Sequence, residues 1–92
     1  MPRWPRPGGH VIVRKLNLRR EVVWTYPGRV LSRGAASVTI EALFDRPDQP
    51  FQGVVLRRGD RFVETFYTRR WHNVFEVFDL ETGQRKGWYC NV

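Results

Sequence analysis

Apolar and polar residues alternate along most of this chain with the two-residue period of β-strands. The pattern is clearest in the segment SVTIEALF at 37–44, where Val38, Ile40, Ala42 and Phe44 share one apolar face. No segment keeps the 3.6-residue period of a helix for two turns. The alternation predicts strands at His10–Leu18, Glu21–Tyr26, Arg29–Leu31, Ser37–Phe44, Val54–Leu56, Arg61–Tyr67, Asn73–Leu80 and Arg85–Val92.

Turn-forming residues separate these strands. Pro27-Gly28 predicts a bend or bulge, and the two prolines of DRPDQP at 45–50 predict a loop. The sequence Glu81-Thr82-Gly83 fits a three-residue hairpin loop with its glycine in the left-handed position. Together these features predict an all-β fold: an antiparallel, partly closed barrel of six to eight strands with no substantial helix.

The chain of 92 residues corresponds to a single domain, which we place at residues 10–92. Residues 1–9 contain three prolines and two glycines, so they are predicted to form a flexible basic arm. Its Trp4 is expected to pack onto the barrel, and stacking on a ligand is the alternative. The single cysteine indicates no disulfide framework, and neither a signal peptide nor a membrane-spanning apolar run is present. A cytoplasmic protein that does not bind membranes is the expectation.

The formal net charge of +7 favours polyanionic partners such as nucleotides or nucleic acid. The simpler interpretation is that scattered arginines keep a small sheet soluble. Basic and aromatic residues also interleave near the C-terminal end. Because cationic side chains bind phosphate oxygens and flat rings stack on bases, Lys86, Arg69 and Arg70 are predicted to bind phosphate. Trp71 or Tyr89 is predicted to stack on the base.

Recognisable catalytic motifs are missing: the sequence has no nucleophile elbow, no phosphate-binding glycine loop and no zinc spacing. The catalytic residues are therefore unknown. His72 is interpreted as a structural residue at the rim. The amide oxygen of Asn91 is a suitable ligand for Mg²⁺ or Mn²⁺, although such a site normally needs carboxylates beside it.

Four further residues carry predictions about burial. Cys90 and Trp88 alternate in one apolar set and are expected in the core. Glu64 and Glu76 lie in strands otherwise rich in aromatic and β-branched residues, where a carboxylate is costly unless paired or functional. An ion pair with Arg61, Arg69 or Lys86 is the simpler explanation, and a ligand-facing role is the alternative.

The segment 59–92 resembles the central block of the DUF402 family, which includes nucleoside di- and triphosphate phosphatases and FomD-like nucleotidyl hydrolases. The Arg-Trp-His-Asn cluster at 70–73 and Gly-Trp-Tyr-Cys-Asn-Val at 87–92 match the order and spacing of that family. The first half is similar only through Trp24 and the Tyr-Pro-Gly-Arg run at 26–29.

This resemblance implies a barrel-like β-domain followed by helices, and divalent-metal-dependent hydrolysis of a nucleotide phosphoanhydride or phosphoester. It implies a Mg²⁺ or Mn²⁺ site in which Asn91 is one ligand and two later carboxylate runs supply the others. Those runs have no counterpart here, so we expect a domain truncated at its C-terminus and inactive as this chain. The arginine that the family uses as proton donor has no equivalent either, because Val22 and Val23 precede Trp24.

Two alternatives to the phosphohydrolase remain open. In the first, the chain is a non-catalytic module that binds RNA or another polyanion, a role for which DUF402-like domains in RNA-binding proteins give a precedent. Alternatively it is a structural barrel that forms a homodimer through an exposed apolar face. A nucleotide substrate is the partner expected of the phosphohydrolase, and RNA is the partner expected of the binding module.

Overall fold

The computed structural model describes residues 4–91, with side chains up to residue 90, and this part of the chain is all-β. No helix within it is long and apolar enough to cross a membrane. The eight strands are β1 (His10–Leu16), β2 (Val22–Arg33), β3 (Ser37–Leu43), β4 (Gln49–Phe51), β5 (Val54–Leu56), β6 (Arg61–Tyr67), β7 (Asn73–Phe78) and β8 (Arg85–Asn91).

Six strands form one antiparallel sheet in the order β1-β2-β3-β6-β7-β8, and β4 and β5 form a separate hairpin. Three strand spacings separate β1 from β6, about 14 Å in a flat sheet. Lys15 of β1 nevertheless lies 3.0 Å from Glu64 of β6, so the sheet must be strongly curved. In the described residues no ladder joins β1 to β8. The predicted antiparallel all-β fold is confirmed, but its barrel is an open, curved sheet.

The concave face of the sheet holds the core. One apolar cluster is centred on Val30, Val38 and Ile40, and Trp4 packs against it as predicted. A second cluster is lined by aromatic rings and is covered by the β4–β5 hairpin. Its buried members are Phe44, Leu56, Phe62, Phe75 and Val77.

Two strand predictions differ from the structure around prolines. The Pro27-Gly28 pair does not end a strand, because β2 runs through it with Pro27 opposite Ile12 and Gly28 opposite Val11. A Cβ on Gly28 would lie 2.9 Å from Ile40 Cδ1, the movable end of that side chain, and 3.3 Å from the carbonyl oxygen of Glu41, so a larger residue there would require its neighbours to shift. The predicted loop at 45–50 ends earlier than expected, because Pro50 is part of the β4–β5 hairpin. A proline is tolerated in such an edge strand.

The prediction that Trp88 and Cys90 are buried is wrong. Trp88 is 57% exposed and Cys90 is exposed as well. Tyr89 stacks on Phe75, its partner across the β7–β8 ladder, on the concave side of the sheet. Because side chains alternate between faces, Trp88 and Cys90 must point to the convex side. The apolar set of this strand is therefore its solvent-facing set.

Candidate functional site

The loop between β6 and β7 carries three of the predicted nucleotide-binding residues. Arg69, Arg70 and Trp71 are all exposed, and the Trp71 side chain is 78% accessible. The Arg70 guanidinium lies 4.9 Å from the centre of the Tyr67 ring, and the Trp71 ring meets His72 edge-on at 5.3 Å. Among the described residues, neither arginine has a carboxylate within ion-pair distance. The two cations and the indole are thus available to a ligand.

Asn91 lies at the same end of the sheet as this loop. The β7–β8 ladder pairs Asn91 with Asn73, which follows the loop directly. The backbone thus brings the predicted metal ligand close to Arg69, Arg70 and Trp71. The side chain of Asn91 lies outside the described residues, so its predicted role stays a prediction.

Lys86 lies at the opposite end of the sheet. It is the second residue of β8, next to the hairpin that joins β7 to β8. The loop lies at the other end of β7, and the five residue steps from Asn73 to Phe78 span about 17 Å at 3.3 Å per residue. Its ammonium group lies 2.8 Å from Asp60 Oδ2 and 3.8 Å from Asp79 Oδ2. The structure therefore does not bring Lys86 together with Arg69 and Arg70 around one phosphate.

Asp60 explains why Lys86 is held there. This carboxylate is completely buried, and it accepts hydrogen bonds from the backbone N–H groups of Arg57 and Leu80 at 2.8 and 3.1 Å. Together with the Lys86 contact, these bonds tie the turn before β6 to the hairpin after β7. Asp79 caps that hairpin: hydrogen bonds from the N–H groups of Thr82 and Glu81 lower the pKa of its carboxyl. The predicted left-handed glycine is present in the same hairpin, at φ +72° for Gly83.

Tyr89 is already stacked within the protein. Its ring lies 5.2 Å from the centre of the Phe75 ring and meets Phe51 edge-on at 4.9 Å. Its hydroxyl donates to the carbonyl oxygen of Gln52 at 3.4 Å. These contacts anchor the β4–β5 hairpin over the concave face, so a base that stacked on Tyr89 would have to share its ring with this packing.

The two glutamates in the aromatic strands are both paired, but not with the predicted partners. Glu64 is 1% exposed and accepts hydrogen bonds from Lys15 Nζ at 3.0 Å and Asn73 Nδ2 at 3.3 Å. The buried hydroxyl of Tyr26 donates to its other oxygen. Glu76 lies on the convex face and pairs with Arg85 at 3.2 Å.

The network around Glu64 was missed because its members come from four strands that are far apart in sequence: β1, β2, β6 and β7. Burial, followed by the negative charge of Glu64, raises the pKa of the Tyr26 hydroxyl far above its ordinary value, so Tyr26 remains a hydrogen-bond donor. The one sequence signal was the parity of Glu64 with Phe62 and Phe66. The alternation HVIVRKL would also have placed Lys15 on the same face as Val11 and Val13.

Above this network the curved sheet and the β4–β5 hairpin enclose a pocket of about 210 Å³. Its walls are mainly aromatic, and Glu64, Lys15, Gln49 and Arg46 supply polar groups. The Arg46 guanidinium lies 4.6 Å from the centre of the Trp24 ring and donates a long hydrogen bond of 3.5 Å to the carbonyl oxygen of Val23. The aromatic lining residues are Trp24, Tyr26, Phe44, Phe51, Phe62 and Phe75.

The described residues do not fit a divalent metal centre. They contain no group of three His, Cys, Asp or Glu side chains placed to hold an ion. The carboxylate that contacts Asn73, that of Glu64, is fully engaged by an ammonium group and two neutral donors. Mg²⁺ and Mn²⁺ need oxygen ligands that are free to bind, usually from carboxylates. No chemical step through a metal can therefore be derived from this arrangement.

Comparison with known proteins finds no family model, no curated protein and no solved structure that matches this chain.

Proposed function

We propose that this chain is the nucleotide-binding β-core of a divalent-metal-dependent phosphohydrolase of the DUF402 type, acting on nucleoside di- or triphosphates or nucleotidyl esters. The observation that carries this proposal is the pairing of Asn91 with Asn73. This pairing sets the residue that the resemblance assigns to the metal beside the exposed Arg69, Arg70 and Trp71. A phosphate chain and the ion bound to it would need these two kinds of groups next to each other.

In this proposal the two guanidinium groups hold outer phosphate oxygens and Trp71 stacks on the base. Guanidinium groups form charge-assisted hydrogen bonds to phosphate, and an exposed indole offers its flat face to any base. When bound, a divalent ion would neutralise phosphate charge and activate water. Because the described residues do not form a metal centre, we expect nucleotide binding by this chain without measurable hydrolysis.

Titration calorimetry with GDP tests the binding part. Arg69→Gln/Arg70→Gln should weaken GDP binding about a hundredfold or more, because each of the two lost charge-assisted hydrogen bonds is worth roughly 1.5–3 kcal/mol. The matched control is Arg19→Gln/Arg20→Gln, which removes the same charge from the exposed turn between β1 and β2. Equal loss in both double variants would refute a specific site in the loop.

RNA binding is the second candidate function, and the distribution of charge favours it. Several exposed arginines in the described residues have no carboxylate within ion-pair distance, including Arg14, Arg19, Arg20, Arg69 and Arg70. They are spread over both ends of the sheet, as suits a long polyanion.

The salt dependence of binding to a single-stranded RNA separates the two functions. The slope of log K against log salt is negative. If Arg69 and Arg70 each contact one phosphate, their replacement should make this slope less steep by about 1.4, at roughly 0.7 per contact. A nucleotide site would instead bind GDP as tightly as the RNA. Binding of RNA with an unchanged slope in the double variant would exclude the loop as the RNA contact.

A further inference from the structure

The pocket above Glu64 lies apart from the 68–72 loop and has the composition of a small-molecule site. Binding pockets typically combine apolar and aromatic walls with a few polar groups that fix the orientation of the ligand. Here Trp24 belongs to the curved sheet and Phe51 to the β4–β5 hairpin, and both side chains line the pocket. Phe62 and Phe75 lie beneath them, stacked 5.8 Å apart between ring centres.

The floor of the pocket contains a buried ion pair that packing alone does not explain. Lys15 and Glu64 are 22% and 2% exposed in their side chains, and their charged groups lie 3.0 Å apart. Replacement of such a pair by apolar residues is often neutral or stabilising, so a buried ion pair is weak evidence for a stabilising role. A charged group held in an aromatic cleft is instead typical of binding sites.

The mouth of the pocket is cationic. Within the described part of the chain, no carboxylate lies within ion-pair distance of Arg46. The Lys15 ammonium has three N–H donors, and Glu64 accepts one of them. Because Glu64 offsets the charge of Lys15, the guanidinium of Arg46 supplies the net positive charge beside the aromatic walls.

We propose that this pocket binds a planar aromatic anion, with its ring against the aromatic walls and its anionic group on Arg46 and Lys15. The Arg46 guanidinium lies 4.6 Å from the centre of the Trp24 ring, and its one hydrogen bond in the described residues is the long contact to Val23, so it has N–H donors left for an anionic group. The volume of about 210 Å³ is smaller than the roughly 300–1,000 Å³ of pockets for drug-sized ligands. The pocket therefore accommodates one ring system, and the anionic group remains at the mouth.

This inference goes beyond the proposed function, because it involves neither the 68–72 loop nor a metal. Two kinds of molecule share the required chemistry: a nucleoside monophosphate and an aromatic carboxylate. Adenosine monophosphate and indole-3-carboxylate are suitable probes for the two classes. Adenosine supplies a ring without the anion, and ribose 5-phosphate supplies the anion without the base.

The test is a titration of the whole chain with these four probes in EDTA, monitored through the NMR signals of the tryptophan indole N–H groups. The Trp24 signal should shift with at least one of the two aromatic anions, and the Trp71 signal should not follow it. Arg46→Gln should weaken binding of that probe about tenfold and leave adenosine binding unchanged, because only the anionic group loses a partner. Phe51→Ala should weaken both. Arg58→Gln, an exposed arginine in the turn after β5, is the control.

The preferred probe identifies the ligand class, and either preference supports the proposal. It is overturned if neither aromatic anion shifts the Trp24 signal, if ribose 5-phosphate binds as tightly as adenosine monophosphate, or if Arg46→Gln behaves like Arg58→Gln. A shift at Trp71 with no shift at Trp24 would leave the loop as the nucleotide site and reject the pocket. A shift at Trp24 alone is the expected result, and it leaves the proposed function to be decided by the separate titration with GDP.

Discussion

Replacement of Lys15 by methionine should expose how strongly the fold depends on the network at the pocket floor. Methionine keeps most of the volume and removes the ammonium group. Glu64, which is 1% exposed, would then keep only the neutral donors Tyr26 and Asn73. Loss of one partner from a buried ion pair typically costs about 3–5 kcal/mol, because the remaining charge is left uncompensated. Since water reaches 22% of the Lys15 side chain, we expect the lower end, about 3 kcal/mol.

The assay is urea unfolding followed by circular dichroism, together with a thermal melt. In a domain of this size, 3 kcal/mol corresponds to a melting temperature lower by roughly 12–24 °C. Arg14→Met on the same strand is the matched control, because Arg14 is exposed and opposite Thr25; its effect should stay within about 0.5 kcal/mol.

A double-mutant cycle measures the coupling energy between the charges of Lys15 and Glu64. Lys15→Met combined with Glu64→Gln should cost clearly less than the sum of the two single changes, since the glutamine leaves no buried charge behind. A coupling energy near zero, or a Lys15→Met variant as stable as Arg14→Met, would show that the ion pair is not formed in solution.

Three further predictions concern other parts of the fold. Trp88→Ala should lower the free energy of unfolding in urea by less than about 1 kcal/mol, because Trp88 is 57% exposed. A loss of about 3 kcal/mol would show that Trp88 is buried in the core. Asp60→Ala should cost about 3–5 kcal/mol by the same assay, because it leaves two buried N–H groups unpaired and leaves Lys86 only its longer contact with Asp79; a loss under 1 kcal/mol would contradict that account. The hydrogen bond from Arg61 lowers the pKa of Glu41, so stability should fall as the pH drops below the ordinary value of 4.5. Arg61→Gln should flatten this acid limb, and an unchanged limb would argue against the contact.

The sign of the Glu41 effect follows from the direction of its shift. A carboxyl whose pKa is lower in the folded state binds fewer protons there than in the unfolded chain. Its stabilising contribution is therefore complete above the unfolded pKa and is lost as the pH falls through the folded pKa. Asp79, whose pKa is also lowered, acts in the same direction, so the single replacement of Arg61 flattens the acid limb without abolishing it.

Local alternation was sufficient to predict the fold class and most strands. In β3 the buried positions Val38, Ile40 and Ala42 alternate with half-buried ones in the structure as they do in the sequence. The same rule failed in β8, where both parity sets contain an aromatic residue and either could face the core. Tyr89 takes the inner position, and its partners Phe75 and Phe51 lie in other strands, so the deciding contacts were not visible locally.

In the candidate sites, too, contacts between distant strands could not be predicted from the local sequence. Arg69, Arg70 and Trp71 are adjacent in sequence, so their shared exposure could be predicted. The separation of Lys86 from them depends on the register of β7 and β8, and its engagement by Asp60 depends on a turn 26 residues away. The pocket could not be predicted from the sequence, because it depends on the curvature of the sheet, which brings Lys15 to Glu64 although they are 49 residues apart.

The most direct test of the proposed function is an NMR titration of the whole chain with GDP, first in EDTA and then with Mg²⁺ in excess over the EDTA. Mg²⁺ is used and not Mn²⁺ because it is diamagnetic. We expect GDP to shift the indole N–H signal of Trp71 and the side-chain signals of Arg69 and Arg70 already in EDTA, because these three residues need no metal to bind phosphate and base. GDP binding that leaves Trp71 unchanged, or no binding under either condition, would contradict the proposed function.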